Sequence, residues 1–499
     1  MFTEGSYILR DRNITEIELN QSNITKTPVK NFAKENQTEM NKKSDTWFLR
    51  FTVFIGMLTW FVGGAKIVWT SPSLIKLKSS DLEMNPLGRP ITSSEISLLF
   101  GIPGMVSLPG SIIFPKLADI LGRKKCIQVI GFMKLISLLG LAFSNNIELI
   151  ILFSTLFSIS FVGILGVLPM YITEICEDHN RAKYGCILSL CIPLGQLYAY
   201  VLGPLFLIRD YTLIIAAPLL PFIFLFFSVP ESPVYLLNKG SHEKCKLALK
   251  KLRSNKTDSE LEVDYFNMSQ SLAPTGESKF KVLKVFTKKE GRCGLLLSLL
   301  AMVVQSFGGG GTLLPLLAPI YENADSKLSG DTIAIIVETV GIASLILTVF
   351  IIERVGRRPL LIISAVGSGV PLIFIGLFFY FQQIGSYLAQ QFHWVPLTSI
   401  LIYFFMFCLG LASIPFTMVS LFFTIELRST GTAIVMTLSC LLLTVFQSAF
   451  PILNETVGTH WCMWIFSILS FVGAILMYFF LPETTGKSVE EIQKILLEC

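Results

Sequence analysis

Titratable and metal-binding chemistry is scarce in this chain. Its 499 residues include four histidines, and only 15% are charged. The histidines are scattered with no metal-ligand spacing, and no catalytic or cofactor-binding constellation stands out, so neither an enzyme nor a metalloprotein is expected. Four consecutive glycines, Gly308 to Gly311, are not followed by the Lys-Ser/Thr of a phosphate-binding loop and lie inside an apolar run. No nucleotide site is expected there, and hence no ATP-driven pump. The apolar runs are continuous rather than alternating, which excludes a β-barrel. The first 46 residues are polar and lack the apolar core of a signal peptide. A flexible cytosolic tail is expected, with the first apolar run serving as its own insertion signal. Ten cysteines are present, but they fall in or beside the apolar runs or on the side assigned below to the cytosol. No disulfide framework is implied. The net charge of +5 follows the ends of the apolar runs, so it reports topology rather than a nucleic-acid partner.

What the chain has in abundance is apolar length. Hydrophobic residues make up 52% and the mean hydropathy is +0.64, which marks a polytopic protein of the lipid bilayer. A helix needs about 20 apolar residues to cross the hydrocarbon layer. Twelve such spans are read at 47–74, 92–118, 125–144, 147–175, 183–208, 210–229, 292–322, 331–352, 358–381, 394–424, 429–453 and 459–481. The expected fold class is an all-α membrane protein. Its parts would be a tail at 1–46, a six-helix bundle at 47–229, a polar linker with short helices at 230–291, a second bundle at 292–481 and a tail at 482–499.

Basic residues set the orientation. Lys116, Arg123, Lys124, Lys125, Arg181, Lys183, Arg354, Arg357, Arg358 and Arg428 lie in short connections on the side shared with both termini. The opposite side has Lys76, Lys78, Arg89, Arg209 and Lys327. Ten against five places both termini in the cytosol. Asn454, in an Asn-Glu-Thr triplet, then falls on the outer side before span 12 as a candidate glycosylation site.

The two sets of six spans repeat. "DILGRKK" (Asp119 to Lys125) follows span 2 and "ERVGRR" (Glu353 to Arg358) follows span 8; "PESP" (Pro230 to Pro233) closes span 6 and "PETTGK" (Pro482 to Lys487) closes span 12. Glu174 with Arg181 follows span 4, and Glu426 with Arg428 follows span 10. Markers recurring in one order on one side are what two parallel six-helix repeats produce. Carboxylates and arginines at adjoining helix ends can form charge-assisted pairs that latch one side shut. The gate candidates are Asp119, Arg123, Glu174, Arg181, Glu231, Glu353, Arg357, Arg358, Arg428 and Glu483.

With these motifs, together with "PMYITEICEDHNR" (Pro169 to Arg181) and "TSPSLIKL" (Thr70 to Leu77), the sequence resembles the sugar porter branch of the major facilitator superfamily. It looks most like the insect facilitated trehalose transporters. The resemblance covers about residues 47–494 and implies alternating access of two bundles around a midplane site. It also implies departures. The Gln-Gln-x-x-Gly-x-Asn pattern of span 7 falls on Gln305, Ser306, Gly309 and Gly311, so of its sugar-bonding side chains, two Gln and an Asn, only the first Gln survives. A Gln of span 5 corresponds to Ser189, a Trp of span 10 to Phe416, a Glu of span 10 to Leu421, and an Arg after "PESP" to Val234. An Arg of span 4 matches Ser154 and the Asp of proton-coupled relatives matches Ala65, so the usual proton coupling is not expected.

Span 7 carries "GGGGTLLPLLAP", which cannot be a straight helix, because Pro315 and Pro319 remove backbone donors. Irregular backbone at membrane depth survives only against protein or a water-filled cavity. The stretch is expected to hinge the outer half of the span and to offer freed backbone groups to a ligand; close packing at the glycines is the competing reading. Ionisable residues at depth, Lys66, Lys134 and Glu338, mark a cavity or a partner, with Lys134 equally readable as snorkelling to the interface. The expected substrate-binding set is Gln305, Ser306, Gly311, Thr312, Ser189, Gln196, Phe416, Lys66 and Glu338. The expected function is uniport of a small sugar, trehalose or a hexose, across the plasma membrane, without cofactor, ATP or nucleic acid. The depleted polar site leaves open a non-transporting sensor or receptor-like relative, or a carrier of another small polar solute.

Overall fold

A computed structural model describes residues 44–81, 83–271, 285–287, 289–322, 328–423, 427–485 and 491. Twelve helices are long and apolar enough to cross a membrane: span 1 Trp47–Leu77, span 2 Ser93–Leu121, span 3 Arg123–Ala142, span 4 Ile147–Ile175, span 5 His179–Leu202, span 6 Ile208–Ser228, span 7 Lys289–Phe307, span 8 Gly330–Val355, span 9 Arg357–Gln383, span 10 Val395–Val419, span 11 Thr430–Thr456 and span 12 Thr459–Phe480. Among the described residues every regular element is helical. Most edges fall within a few residues of those read from the sequence. Span 7 stops at Phe307, short of the expected 322, because the glycine run interrupts it; short helices at Gly310–Leu313 and Leu317–Glu322 carry it onward.

Local sequence explains the helix starts. The Thr46 hydroxyl accepts from Leu49 N at 3.1 Å to cap span 1, and Thr92 with Glu95 forms a capping box at span 2, each satisfying backbone donors that have no partner within the helix. Glycines set the closest approaches. A Cβ on Gly64 would lie 2.1 Å from Ile192 O, and one on Gly195 would lie 1.9 Å from Phe61 O. Spans 1 and 5 therefore pack backbone against backbone.

Three short helices, Pro233–Asn238, His242–Leu252 and Asp258–Ser271, follow span 6. Arg253 bridges Asp264 at 2.6 Å, and Lys256 bridges Glu177 at 2.7 Å, which ties this linker to the connection between spans 4 and 5. Thr46 Oγ1 donates to Leu252 O at 2.7 Å, tying the linker to the start of span 1 as well. Below, the face carrying this linker is the linker face, and the opposite one the far face.

Spans 1–6 meet spans 7–12 mainly on the far-face side. Thr70 Oγ1 donates to Pro315 O (3.2 Å), Ala318 N donates to Ser71 Oγ (3.0 Å), and Tyr200 OH donates to Leu314 O (2.6 Å). Spans 2 and 11 meet where Ser97 Oγ donates to Ser448 O, and the Ser111 and Thr437 hydroxyls lie 3.3 Å apart. Near the linker face, the ion pairs of Arg123, Arg253 and Lys256 all stay within spans 1–6 and the linker. The hydrogen bonds that reach span 7 thus join the halves at the far face in this conformation, and spans 2 and 11 also touch at Ser111 and Thr437, nearer the linker face.

Candidate functional site

The broken seventh span is where the seam is built. Gly309 sits at φ +78°, and both Thr312 N and Leu313 N turn to Gly309 O, at 3.0 and 2.8 Å. That leaves Gly308 O without a helical donor. Pro315 has no N–H for Gly311 O, and Pro319 has none for Pro315 O. Ala318 N goes to Ser71, so Leu314 O keeps only the tighter turn's bond from Leu317 N. A buried carbonyl left unpaired costs about 1–3 kcal/mol, and each of these four finds a side chain from another span. Gly308 O accepts from Tyr403 OH, Gly311 O from Gln447 Nε2 at 2.8 Å, Leu314 O from Tyr200 OH, and Pro315 O from Thr70 Oγ1. In this conformation protein donors occupy all four. Tyr403, Gln447, Tyr200 and Ser71 were not nominated from sequence. A proline four residues on does signal a freed carbonyl, but not which donor will reach it.

The nominated binding residues divide. Gln305 Nε2 donates to Ala412 O at 3.3 Å, across to the break in span 10, and Ser306 Oγ donates to Met302 O at 3.1 Å in its own helix. Thr312 Oγ1 is buried with no hydrogen-bond partner. Ser189 Oγ donates to Gly185 O at 3.0 Å within span 5, and Phe416 is 48% exposed, so neither is tied to the broken segment. Gln196 is buried. Lys66 is 8% exposed with its ammonium 4.4 Å from the centre of the Trp69 ring. Glu338 is 5% exposed on span 8; no ion pair joins these two. Lys134 does not snorkel. It is wholly buried, donates to Thr59 O of span 1 at 2.7 Å and lies over the Phe157 and Phe161 rings of span 4, so it pins three spans together.

At the linker face, Arg123 is 7% exposed. Its guanidinium meets Asp119 at 3.0 Å and Glu174 at 3.0–3.1 Å, and it lies 5.2 Å from the Tyr235 ring centre. Ser232 Oγ donates to Glu174 as well. Glu231 accepts from Lys124 N at 2.9 Å and so caps span 3, placing negative charge where the helix dipole favours it.

The protein-family model described as "Sugar (and other) transporter" matches residues 23–496. The chain belongs to that family. Among its relatives, the facilitated trehalose transporter Tret1 of Aedes aegypti is 28% identical over 87% of this chain and 53% of its own length. The Tret1-2 homolog of Drosophila sechellia is 28% identical over 87% of this chain and 88% of its own length. The chain thus spans about half the length of the Aedes protein. In fold it is similar to the inward-open xylose transporter XylE of E. coli, with a TM-score of 0.72 and 20% identity over 90% of this chain and 99% of the other. A partially occluded inward-open form of XylE gives a TM-score of 0.71 at 19% identity, over 89% of this chain and 100% of the other.

In this sugar transporter family member the second corner differs from the first. Glu483 accepts from Arg357 N (3.3 Å), Arg358 N (3.1 Å), Thr484 N (2.8 Å) and Thr485 N (2.8 Å). Burial pushes the Glu483 carboxyl up, but these N–H groups, with the Thr485 hydroxyl, outweigh it and hold it below the ordinary range. Among the described residues the Arg357 guanidinium reaches Thr484 alone, at 3.4 Å, and Arg358 donates to Tyr478 O. Glu353 is exposed. Arg181 donates to Thr173 O at 3.4 Å. The side chain of Arg428, like the whole of Glu426, lies outside the described residues.

A latch between the halves is therefore not formed at Asp119, Arg123, Glu174, Glu231, Arg357 or Glu483. Their described bonds stay within their own half. Asn454 falls in the last helical turn of span 11 rather than in a loop, and its Oδ1 accepts from Thr459 Oγ1 at 2.8 Å.

Proposed function

We propose that the chain is a facilitative carrier that moves a small sugar, trehalose or a hexose, down its gradient by alternating access of its two six-span halves. The substrate class follows the family and the names of the trehalose transporter relatives. One observation carries the mechanism: three hydrogen bonds that join the halves land on the broken outer segment of span 7, while the ion pairs of Arg123 at the linker face stay within spans 1–6. A seam built on one side, with charges resolved inside each half on the other, is one end of a rocking cycle. Span 7 hinges at Gly309. When the far face opens, the carbonyls of Leu314 and Pro315 exchange protein donors for sugar hydroxyls or water. Gln305, Ser306, Gly311, Thr312, Ser189, Gln196, Phe416, Lys66 and Glu338 line the route, and the linker-face charges regroup across the halves in the opposite state. The linker face and both termini are cytosolic, in the plasma membrane.

A second reading is favoured by one observation. Gln305, Ser306 and Ser189 already spend their donors on protein carbonyls, which suits a less hydroxylated solute or a non-transporting sensor. Purified protein in liposomes decides between them. Saturable uptake of labelled trehalose or glucose, insensitive to a proton gradient, is expected. No flux of either, from protein that unfolds cooperatively on heating, overturns the sugar carrier in favour of the second reading.

A further inference from the structure

A cavity of about 460 Å³ opens at the linker face, between the ends of spans 2, 3 and 6 and the first two linker helices. That volume lies in the usual range of small-ligand sites, about 300–1,000 Å³. Four lysines line it: Lys124, Lys125, Lys239 and Lys244. Its one carboxylate, Glu231, is already engaged by Lys124 N and by Ser232 N. Lys124 Nζ donates to Phe227 O at 2.8 Å. Lys125, Lys239 and Lys244 are exposed, and among the described residues no ion pair neutralises them. The neighbouring linker lysines behave otherwise, since Lys246 pairs with Glu262 at 2.7 Å and Lys250 with Asp258 at 2.8 Å. Gln128, which also lines the cavity, holds its Nε2 away from solvent with no acceptor. The arrangement concentrates donors and positive charge around a single carboxylate that backbone N–H groups already engage.

The cavity wall also includes Leu121 and Phe227, 41% and 58% exposed, beside Ile120 and Phe224 at 66% and 73%. These belong to the lipid-facing ends of spans 2 and 6, so the basic pocket is continuous with surface that acyl chains cover. Basic pockets at that depth bind anionic headgroups, and the apolar wall suits a tethered phosphate better than one free in water.

We propose that this cavity binds the headgroup of an anionic phospholipid carrying a phosphomonoester, held by Lys125, Lys239, Lys244 and the Gln128 amide. Occupancy would fasten the first linker helix to the start of span 3. The assignment rests on the linker face being cytosolic, where anionic lipid is concentrated.

Native mass spectrometry of the detergent-purified full chain tests it, with short-chain phosphatidylinositol 4-phosphate, phosphatidylcholine of the same chain length, and inorganic phosphate as probes. The phosphoinositide is expected to be retained and the phosphatidylcholine not. The Lys125→Gln/Lys239→Gln/Lys244→Gln variant should bind the phosphoinositide about 100-fold more weakly, while Lys246→Gln/Lys250→Gln binds as the parent does. Undiminished binding by the first variant, equal loss in the second, or inorganic phosphate binding as tightly as the lipid would each overturn the proposal. All of the substituted side chains are exposed, and thermal unfolding verifies that both variants are folded. The readout involves neither sugar nor sidedness, so a failure of sugar uptake and a failure of lipid binding are told apart.

Discussion

The corner between spans 2 and 3 and its repeat between spans 8 and 9 share a backbone but not a set of charges. In each, a glycine with positive φ, Gly122 at +105° or Gly356 at +96°, precedes a helix that opens on arginine. In each, a glutamate from the segment after span 6 or span 12 accepts from the first backbone N–H groups of that helix. There the likeness stops. Arg123 is buried on Glu174 and Asp119, whereas among the described residues the Arg357 guanidinium meets Thr484 alone. The capping carboxylate answers a need that every helix start has. The buried ion pair does not, so one half can lack it and keep its corner.

Removing one partner of a buried pair strands the other, at about 3–5 kcal/mol. Glu174→Ala is therefore expected to lower stability by about that amount, and Arg357→Ala by about 1 kcal/mol or less, read from denaturant unfolding in detergent. Equal losses would break the comparison. The glycines come next. A Cβ at Gly122 would lie 2.3 Å from Glu231 Oε2, and one at Gly356 would lie 2.9 Å from Glu483 Oε2. Both Gly→Ala variants are expected to lose about 1–3 kcal/mol, with Gly122→Ala the worse; the same unfolding assay ranks them.

The smallest effect is at Glu483, where losing a helix-capping carboxylate costs about 0.5–2 kcal/mol and partial exposure favours the low end. Its folded carboxyl is held below the ordinary value, so the contribution is full above about pH 4.3 and is lost as pH falls through the folded value. The parent should therefore outlast Glu483→Gln at pH 7, and the gap in Tm should close as pH falls below about 4. A gap that widened on acidification would contradict the assigned direction.

Composition made the spans legible, because twelve apolar runs leave little else for the chain to be. The break in span 7 was legible too, since Gly309 and the two prolines act through backbone chemistry that depends on no neighbour. Which side chains would answer the break was not. Tyr200 OH and Thr70 Oγ1 reach across to span 7, while Thr155 Oγ1 merely returns to Ile151 O at 2.7 Å in its own helix. A hydroxyl in an apolar run looks the same in both cases, and only helix register separates them. The charged motifs showed the same limit. Their residue types announced ion pairs, but not that Glu231 and Glu483 cap helices, nor that Glu174 meets an arginine of its own half.

The central claim is that the two faces open in alternation, and distances between spin labels test it most directly. One pair belongs on the far face, at Leu205 and Tyr387, which are 68% and 75% exposed; the other belongs on the linker face, at Ile120 and Glu353, also exposed. In lipid nanodiscs with and without trehalose or glucose, the account predicts two populations in each distance distribution, with the far-face distance lengthening as the linker-face distance shortens. Two distances that stay fixed, or that lengthen together, would contradict it.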